Sequence, residues 1–481
     1  MIDHSSLFID GDWRQPSSSE VITVSSPVTE QPIGRAPCAA AADVDAAVAA
    51  ARRALVDPQG WTQWEPGRRA DALERLADAL EKRAHEVAAL VTREMGMPIA
   101  VSTVVEGFVP AGVLRYYAAL ARSTAVEQRR PAIGRQGTTV VRREPVGVVA
   151  AIVPWNAPSL LTSFKLAPAL AAGCTVVLKP SPETALDAYL LAEAVLEAGI
   201  PPGVVNIVAG GRETGEHLVA HPGVDKVAFT GSTSAGRRIG EVCGRLLRPV
   251  TLELGGKSAA IVLDDADIGA TARGLAAASL FNNGQYCYLG TRVLAPRSHY
   301  DEVLEAVTAM AASLVVGDPL DPDTHVGPLV SAAARTRFES AVRSGLGSGA
   351  RLTTGGGRPA TESTGWFVEP TVLGEVSNQS AIAREEVFGP VLAVIPYTDV
   401  DEAVAIANDS EYGLAGSVWT ADEDRGLAVA RRVETGTFGV NQYQPDLGSP
   451  YGGVKSSGIG RELGPEGLDA YVQLKSVYLT S

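Results

Sequence analysis

Cysteine and histidine are scarce in this chain. Four cysteines among 481 residues, at positions 38, 174, 243 and 287, form no pair at Cys-x-x-Cys spacing. A disulfide framework therefore has no support, and a zinc site has no ligand set. The six histidines make no His-Glu-x-x-His pattern, which removes the usual metalloprotease helix; no metal is expected. Basic residues are outnumbered, 41 Lys and Arg against 55 Asp and Glu, for a formal net charge of −14. That balance argues against a nucleic-acid backbone or an anionic membrane as partner. No apolar run approaches the roughly 18 residues of a membrane span. The first residues, Met1-Ile2-Asp3-His4-Ser5-Ser6, lack the basic and apolar regions of a signal peptide, so the expected location is the cytoplasm.

The remainder is an ordinary globular composition, 46% hydrophobic and 20% charged, with length for two or three domains. Leu7 to Trp13 reads as a hairpin with an Asp10-Gly11 turn. Helical periodicity covers Val44 to Leu55, Arg68 to Met95 with a break, and Val104 to Arg122. Thr138 to Glu144 is a mixed strand outside the main alternation. Val146 to Val153 is a continuous apolar run, the signature of a strand buried on both faces. Strands at 175–178, 204–208, 226–229 and 250–254 then alternate with helices at 160–171, 185–196, near Gly215 and at 235–246. Such alternation implies βαβ units and a doubly wound α/β sheet. Beyond residue 287 come helices at 300–315, 332–344, 400–408 and 422–433, a strand at 391–396, and a tail at 470–479 alternating at period two.

Two phosphate-loop patterns nearly match and fail. Gly255-Gly256-Lys257-Ser258 ends like a Walker A loop, but Thr251 stands where the earlier glycine is needed. Gly458 to Gly464 has one residue too many for Gly-x-Gly-x-x-Gly and follows no clear strand. More informative is Phe229-Thr230-Gly231-Ser232-Thr233-Ser234-Ala235-Gly236, a strand ending at a glycine turn that opens a helix. This geometry presents backbone N–H groups to an anion, although close packing by glycine explains the pattern as well. Lys179-Pro180 adds a cation at another strand's carboxyl end, where ligands bind in such sheets. In Pro154-Trp155-Asn156-Ala157-Pro158 the prolines stiffen a turn around an amide that either donates to a ligand or satisfies the loop. Glu253 is an acid among apolar neighbours, and partial burial would suit it to general-base work. Phe281-Asn282-Asn283-Gly284-Gln285-Tyr286-Cys287 places a thiol on an amide-rich turn after an alanine-rich helix. Taken alone, such a cysteine is more commonly a small buried hydrophobe.

Together these pieces resemble the NAD(P)-dependent aldehyde dehydrogenase superfamily over nearly the whole chain. The ordered anchors are residues 154–158, 178–180, 229–236, 252–258, 281–287, 385–390 and 450–464, and the 34-residue interval from Glu253 to Cys287 fits the family. The resemblance implies that Cys287 attacks the aldehyde carbonyl to give a thiohemiacetal, with the oxyanion held by the Asn156 amide and the Cys287 N–H. Hydride transfer would leave a thioester, and Glu253 would activate the water that releases the acid. Lys165 matches a lysine that assists proton movement. Lys179 would meet the adenosine ribose region, while Gly231, Ser232 and Gly236 at the helix start would meet the pyrophosphate, close to Leu254. Glu386 would bind the nicotinamide ribose with Phe388 packed beside it, and Trp155 would line the adjoining cleft.

Departures from the family pattern bear on specificity. The glutamate that binds the adenosine ribose in many NAD-preferring members is here Pro182, with Glu183 one residue later and Ser181 before it. Ser181 suits a 2′-phosphate and Glu183 suits a ribose, so NAD is favoured over NADP by a small margin. Ala157 stands where a bulky aromatic is common, and Phe164, Tyr286, Tyr288 and Tyr451 supply aromatic lining. A medium-sized apolar or aromatic aldehyde is the expected substrate. The family architecture divides the chain into a Rossmann-like cofactor domain (1–122 and 146–254), an α/β catalytic domain (255–464) and a small β oligomerisation arm (123–145 and 465–481), in a homodimer or homotetramer. Two alternatives remain: a CoA-acylating enzyme, against which Glu253 counts, and a non-catalytic protein of the same fold.

Overall fold

The apolar run before Pro154 forms the strand Val148–Ile152, buried at every position, and it lies at the centre of an eight-stranded sheet. The computed structural model describes residues 1–480. On one side of that strand lie Thr175–Lys179 and Val205–Ile207; on the other lie Lys226–Thr230 and Val250–Glu253, all parallel. The sheet therefore winds outward in two directions, and its crevice opens at the carboxyl ends beside the first strand, the usual ligand position. Both edges are antiparallel. Leu7–Ile9 and Asp12–Arg14 form the hairpin, with Asp10 and Gly11 at positive φ in its turn. At the other edge Gly458–Ile459 pairs with Leu252 and Glu253, so the Gly458–Gly464 segment is an edge bridge on the strand that carries the acid.

Residues 259–440 build a second, seven-stranded sheet in the order Arg351–Thr354, Thr371–Gly374, Val391–Tyr397, Arg292–Pro296, Ala259–Val262, Gly416–Trp419, Gly439–Val440. Periodicity revealed only Val391–Tyr397 among these. The others are two to five residues long, mostly buried and rich in alanine or glycine, so neither alternation nor a long β-branched run marks them. Arg292 lies in the middle of this sheet, fully buried. Its guanidinium donates to the carbonyls of Lys257, Ile406 and Ala407 and to Asn378 Oδ1, at 2.9–3.0 Å. A third sheet joins Glu127–Pro131, Thr138–Pro145 and Val472–Leu479, with the last strand at an edge.

The helix Pro158–Ala172 carries site residues and is buried nearly all round. Proline suits its first position, but Ala157 offers no capping side chain. The cap comes from elsewhere. Glu106 Oε2 accepts from the N–H groups of Ser159 at 2.8 Å and Leu160 at 3.4 Å, and Ser159 Oγ donates to Asp187 Oδ2 at 3.0 Å. These bonds satisfy donors that every helix start leaves free. Glu106 sits in a π-helical stretch, Thr103–Phe108, inside the continuous helical segment Ile99–Ser123. By length and composition that segment is apolar enough to cross a membrane. Here its apolar residues Ala111, Val113, Leu114, Tyr117 and Ala118 are buried in the core, chiefly against the helices Pro66–Lys82 and Pro158–Ala172.

Burial, reinforced by Asp187, pushes the Glu106 carboxyl up to about 8, and burial likewise pushes Asp187 up to about 7. The folded protein therefore retains the Glu106 proton over a pH range in which the unfolded chain has lost it. The stabilisation is complete below about pH 4.3 and disappears as pH rises toward 8. Glu106→Gln keeps an acceptor for Ser159 but has no proton to lose. Its stability relative to wild type should therefore increase from pH 5 to pH 8, by at most about 1.4 kcal/mol per pH unit. Melting midpoints of both proteins across that range test this; a pH-independent difference would contradict it.

Candidate active site

The helix Ile268–Leu280, capped by Asp267 Oδ1 on Ala270 N at 2.8 Å, delivers the chain to a left-handed turn. Asn282, Asn283 and Gly284 have φ of 49°, 59° and 73°. Asparagine tolerates this region better than other side chains, and here the amides are also bonded. Asn283 Nδ2 donates to the carbonyls of Gly96 (2.7 Å) and Pro328 (3.1 Å), and its Oδ1 accepts from Gly327 N. Asn282 Nδ2 donates to Asn156 O, while Asn156 Nδ2 donates to Gln285 O, both at 3.0 Å. Asn156 is thus clamped beside the turn with a second amide hydrogen left for a ligand. Cys287 follows, half-buried. Gly256 passes against it so closely that a Cβ there would lie 2.3 Å from the Cys287 carbonyl oxygen.

Glu253 ends its strand 3% exposed, and neither carboxylate oxygen has a hydrogen-bond partner. Gly452, at φ +149°, lies where a Cβ would come within 2.5 Å of Glu253 Oε1. Burial first, and the neighbouring Glu462 second, raise the Glu253 carboxyl well above its ordinary value, with Lys165 and Arg461 opposing. Lys165 is fully buried. Its ammonium donates to Thr230 Oγ1 and to Glu462 Oε1, each at 2.6 Å, and Thr230 is the strand neighbour of Glu253. Glu462 was not singled out from sequence. The available signal was Lys165 itself, because a lysine in an apolar helix needs a carboxylate.

The Cys287 thiol lies 3.5 Å from the Tyr451 hydroxyl. Burial pushes this thiol up to about 12; the Tyr451 hydrogen bond acts downward, while Glu386 and Glu253 act upward. Tyr286 and Tyr288 flank it with ring centroids 5.1 Å apart, and Tyr288 continues to Tyr443 at 5.0 Å. Tyr443, its hydroxyl 2.7 Å from Thr437 Oγ1, is a further wall residue that sequence reading missed. Ala157 and Phe164 are buried in the same apolar core as Tyr286.

The remaining singled-out residues occupy the crevice and its rim. Ser232 is the exposed N-cap of the helix Thr233–Arg245, its Oγ accepting from Ala235 N at 3.3 Å. Gly231 lies against the Phe229 ring, and Gly236 lies against Leu254 at 2.4 Å from a would-be Cβ; close packing accounts for both. Lys179 Nζ donates to the carbonyls of Pro180 and Gly210 at 2.8 and 2.7 Å, and burial pushes it down to about 8. Ser181 Oγ donates to Glu183 Oε2. Glu386 Oε1 accepts from Gly256 N at 3.1 Å, and burial pushes its carboxyl up to about 7. Trp155 and Phe388 meet edge-to-face at 5.5 Å, with Phe388 at φ +60°. A helix start, a cation, two carboxylates and an aromatic pair suit a dinucleotide's phosphates, ribose diols and ring.

The sequence pattern of the aldehyde dehydrogenase family matches residues 13–477. The chain is 55% identical to a geranial dehydrogenase of Castellaniella defragrans over 478 residues, 99% of either protein. It superposes on a Mycobacterium tuberculosis aldehyde dehydrogenase complexed with NAD+ with a TM-score of 0.97, at 47% identity, covering 99% of this chain and 98% of that one. A Pseudomonas syringae aldehyde dehydrogenase C variant in complex with NAD+ and octanal superposes with a TM-score of 0.95 at 38% identity, covering 99% and 97%. The chain belongs to the aldehyde dehydrogenase family and is an oxidoreductase that uses NAD or NADP.

Proposed function

We propose that this enzyme oxidises a medium-sized apolar aldehyde to its carboxylic acid by the hydrolytic route, with NAD as the preferred nucleotide. The observation that carries the hydrolytic reading is the buried, unpartnered carboxylate of Glu253 near Cys287. A carboxylate kept dry, with its basicity raised, is suited to taking a proton from the thiol and then from water. As the Cys287 sulfur bonds to the aldehyde carbon, the carbonyl oxygen takes the negative charge. The free Asn156 amide hydrogen and the Cys287 N–H are its donors, and one such donor is typically worth on the order of 10²–10³ in rate. Bound nicotinamide dinucleotide supplies the hydride acceptor. Glu253 then removes a proton from the water that cleaves the thioester, and the Glu462 carboxylate, whose Oε2 is also unpartnered, can accept that proton from it.

The tyrosine wall and the similarity to a geranial dehydrogenase support an apolar substrate. Glu183 supports NAD: its carboxylate, held by Ser181 near Lys179, would repel a 2′-phosphate. We also infer an oligomer joined through the arm sheet, whose edge strand exposes Leu474 and Tyr478; such edges invite pairing.

Cys287→Ala should abolish reduced-nucleotide formation. Glu253→Gln should give a burst of about one reduced nucleotide per site and then turn over slower, on the order of 10²–10⁴-fold. Wild-type turnover should rise with pH, since Glu253 works only after losing a proton that burial makes it retain. Loss of the burst in Glu253→Gln would show that removal of the thiol proton, rather than of the water proton, is the step that depends on Glu253. In an aldehyde panel with each nucleotide, geranial and hexanal with NAD should give higher kcat/KM than a short polar semialdehyde or NADP, and added CoA should yield no acyl-CoA. Light scattering should report a mass above one chain that falls in Leu474→Glu/Tyr478→Glu; a wild-type monomer would rule out the arm interface.

A further inference from the structure

Tyr451 was expected only to line the substrate path, yet its hydroxyl is directed at sulfur. The contact is 3.5 Å, Tyr451 is buried and Cys287 half-buried, and it is the sole side-chain hydrogen bond to Cys287 Sγ among the described residues. The tyrosine is held firmly. Its N–H donates to Glu462 O at 2.7 Å and its carbonyl accepts from Glu462 N at 2.8 Å, an antiparallel bridge to the residue that anchors Lys165. Its neighbour Gly452 lies against Glu253. One dipeptide thus touches the nucleophile with its side chain and the base with its backbone.

The electrostatic setting makes this contact matter. The groups facing the thiol are Glu253 at the carboxyl end of its strand in the first sheet, Glu386 from the loop before Val391–Tyr397, Tyr286 and Tyr288 on its own turn, and Tyr443 and Tyr451 from the 440s and 450s. The carboxylates oppose a thiolate and the phenols are neutral. No cationic side chain figures among the groups that act on it, unlike the positively charged settings of most reactive cysteines.

We propose that the Tyr451 hydroxyl is a catalytic hydrogen-bond donor to the Cys287 thiolate, in the part that a cationic side chain plays beside other reactive cysteines. Burial keeps the phenol protonated. The thiol proton goes to Glu253 or to water, and Tyr451 keeps its own. The bond weakens as sulfur shares its electron pair with the aldehyde carbon and re-forms when the thioester C–S bond breaks. The hydroxyl therefore assists both the formation and the departure of the thiolate.

This inference rests on the reading of Cys287 as nucleophile, and its test needs no turnover. Cys287 labelling by iodoacetamide and by methyl methanethiosulfonate is followed by peptide mass spectrometry at pH 8, without aldehyde or nucleotide. Loss of the donor in Tyr451→Phe raises the thiol pKa. A one-unit rise lowers the thiolate fraction tenfold but leaves a more nucleophilic sulfur, for a net slowing of about 3-fold. The same factor is expected with both reagents. A hydroxyl that merely fills space would, on removal, leave labelling equal or faster, and that result overturns the proposal. An unchanged melting midpoint excludes a slow rate due to altered packing. A wild type inert toward aldehydes but with the labelling difference would sink the proposed function and leave this inference standing.

Discussion

The left-handed turn at Asn282–Asn283–Gly284 is the constraint on which the rest of the site depends. Two consecutive non-glycine residues at positive φ cost on the order of 1 kcal/mol each. The turn persists because its amides are bonded into three separate parts of the chain: Gly96, Gly327–Pro328 and Asn156. Straightening the turn would break all of these bonds in a dry interior, where each unmade bond costs more than its net contribution. The same bonds set the distance between Cys287 on the second sheet's side and Asn156 at the crevice of the first. The placement of the Asn156 amide relative to Cys287 is therefore a consequence of how the two sheets are tied together.

Burial then does electrostatic work. Lys165 and Glu462 neutralise one another at 2.6 Å with almost no solvent contact, an arrangement that yields little net stability because desolvation offsets the attraction. Its effect is local. Glu462 lifts the Glu253 carboxyl while Lys165 lowers it, so the base's affinity for a proton depends on where the pair's own proton resides. At the far end of the same helix, Glu106 and Asp187 hold the N-terminus. Pro158–Ala172 is thus fixed at one end by a carboxylate cap and in its middle by an ion pair, and Asn156 just before it inherits that rigidity.

Much of this was legible in sequence because it is carried by contiguous residues. The anchors around Asn156, Glu253 and Cys287 each span a turn, and turn chemistry is local. The parallel core of the first sheet announced itself as apolar runs alternating with helices. What escaped was tertiary. Arg292 and the short strands of the second sheet carry no period, since their composition reflects burial on both faces. Glu106 caps a helix 52 residues downstream, and a π-helical stretch aims it there, which no propensity reveals. Tyr443 and Glu462 acquire their roles from neighbours brought close by folding.

Proton counting connects these parts. The resting thiol and Glu253 are both raised by burial, and Glu253 disfavours ionisation of the thiol. Burial of both groups favours their neutral forms, and a neutral thiol is a poor nucleophile toward chance electrophiles. Reaction requires one proton to leave, and the Lys165–Glu462 pair is the buried charged pair that acts on Glu253. Neutral donors, the Tyr451 hydroxyl and the Cys287 N–H, can stabilise the anion that remains without adding a permanent charge. A fixed cation would have produced a standing thiolate. On the proposed reading, donors that act only when charge appears would leave the cysteine quiet until an aldehyde reaches it.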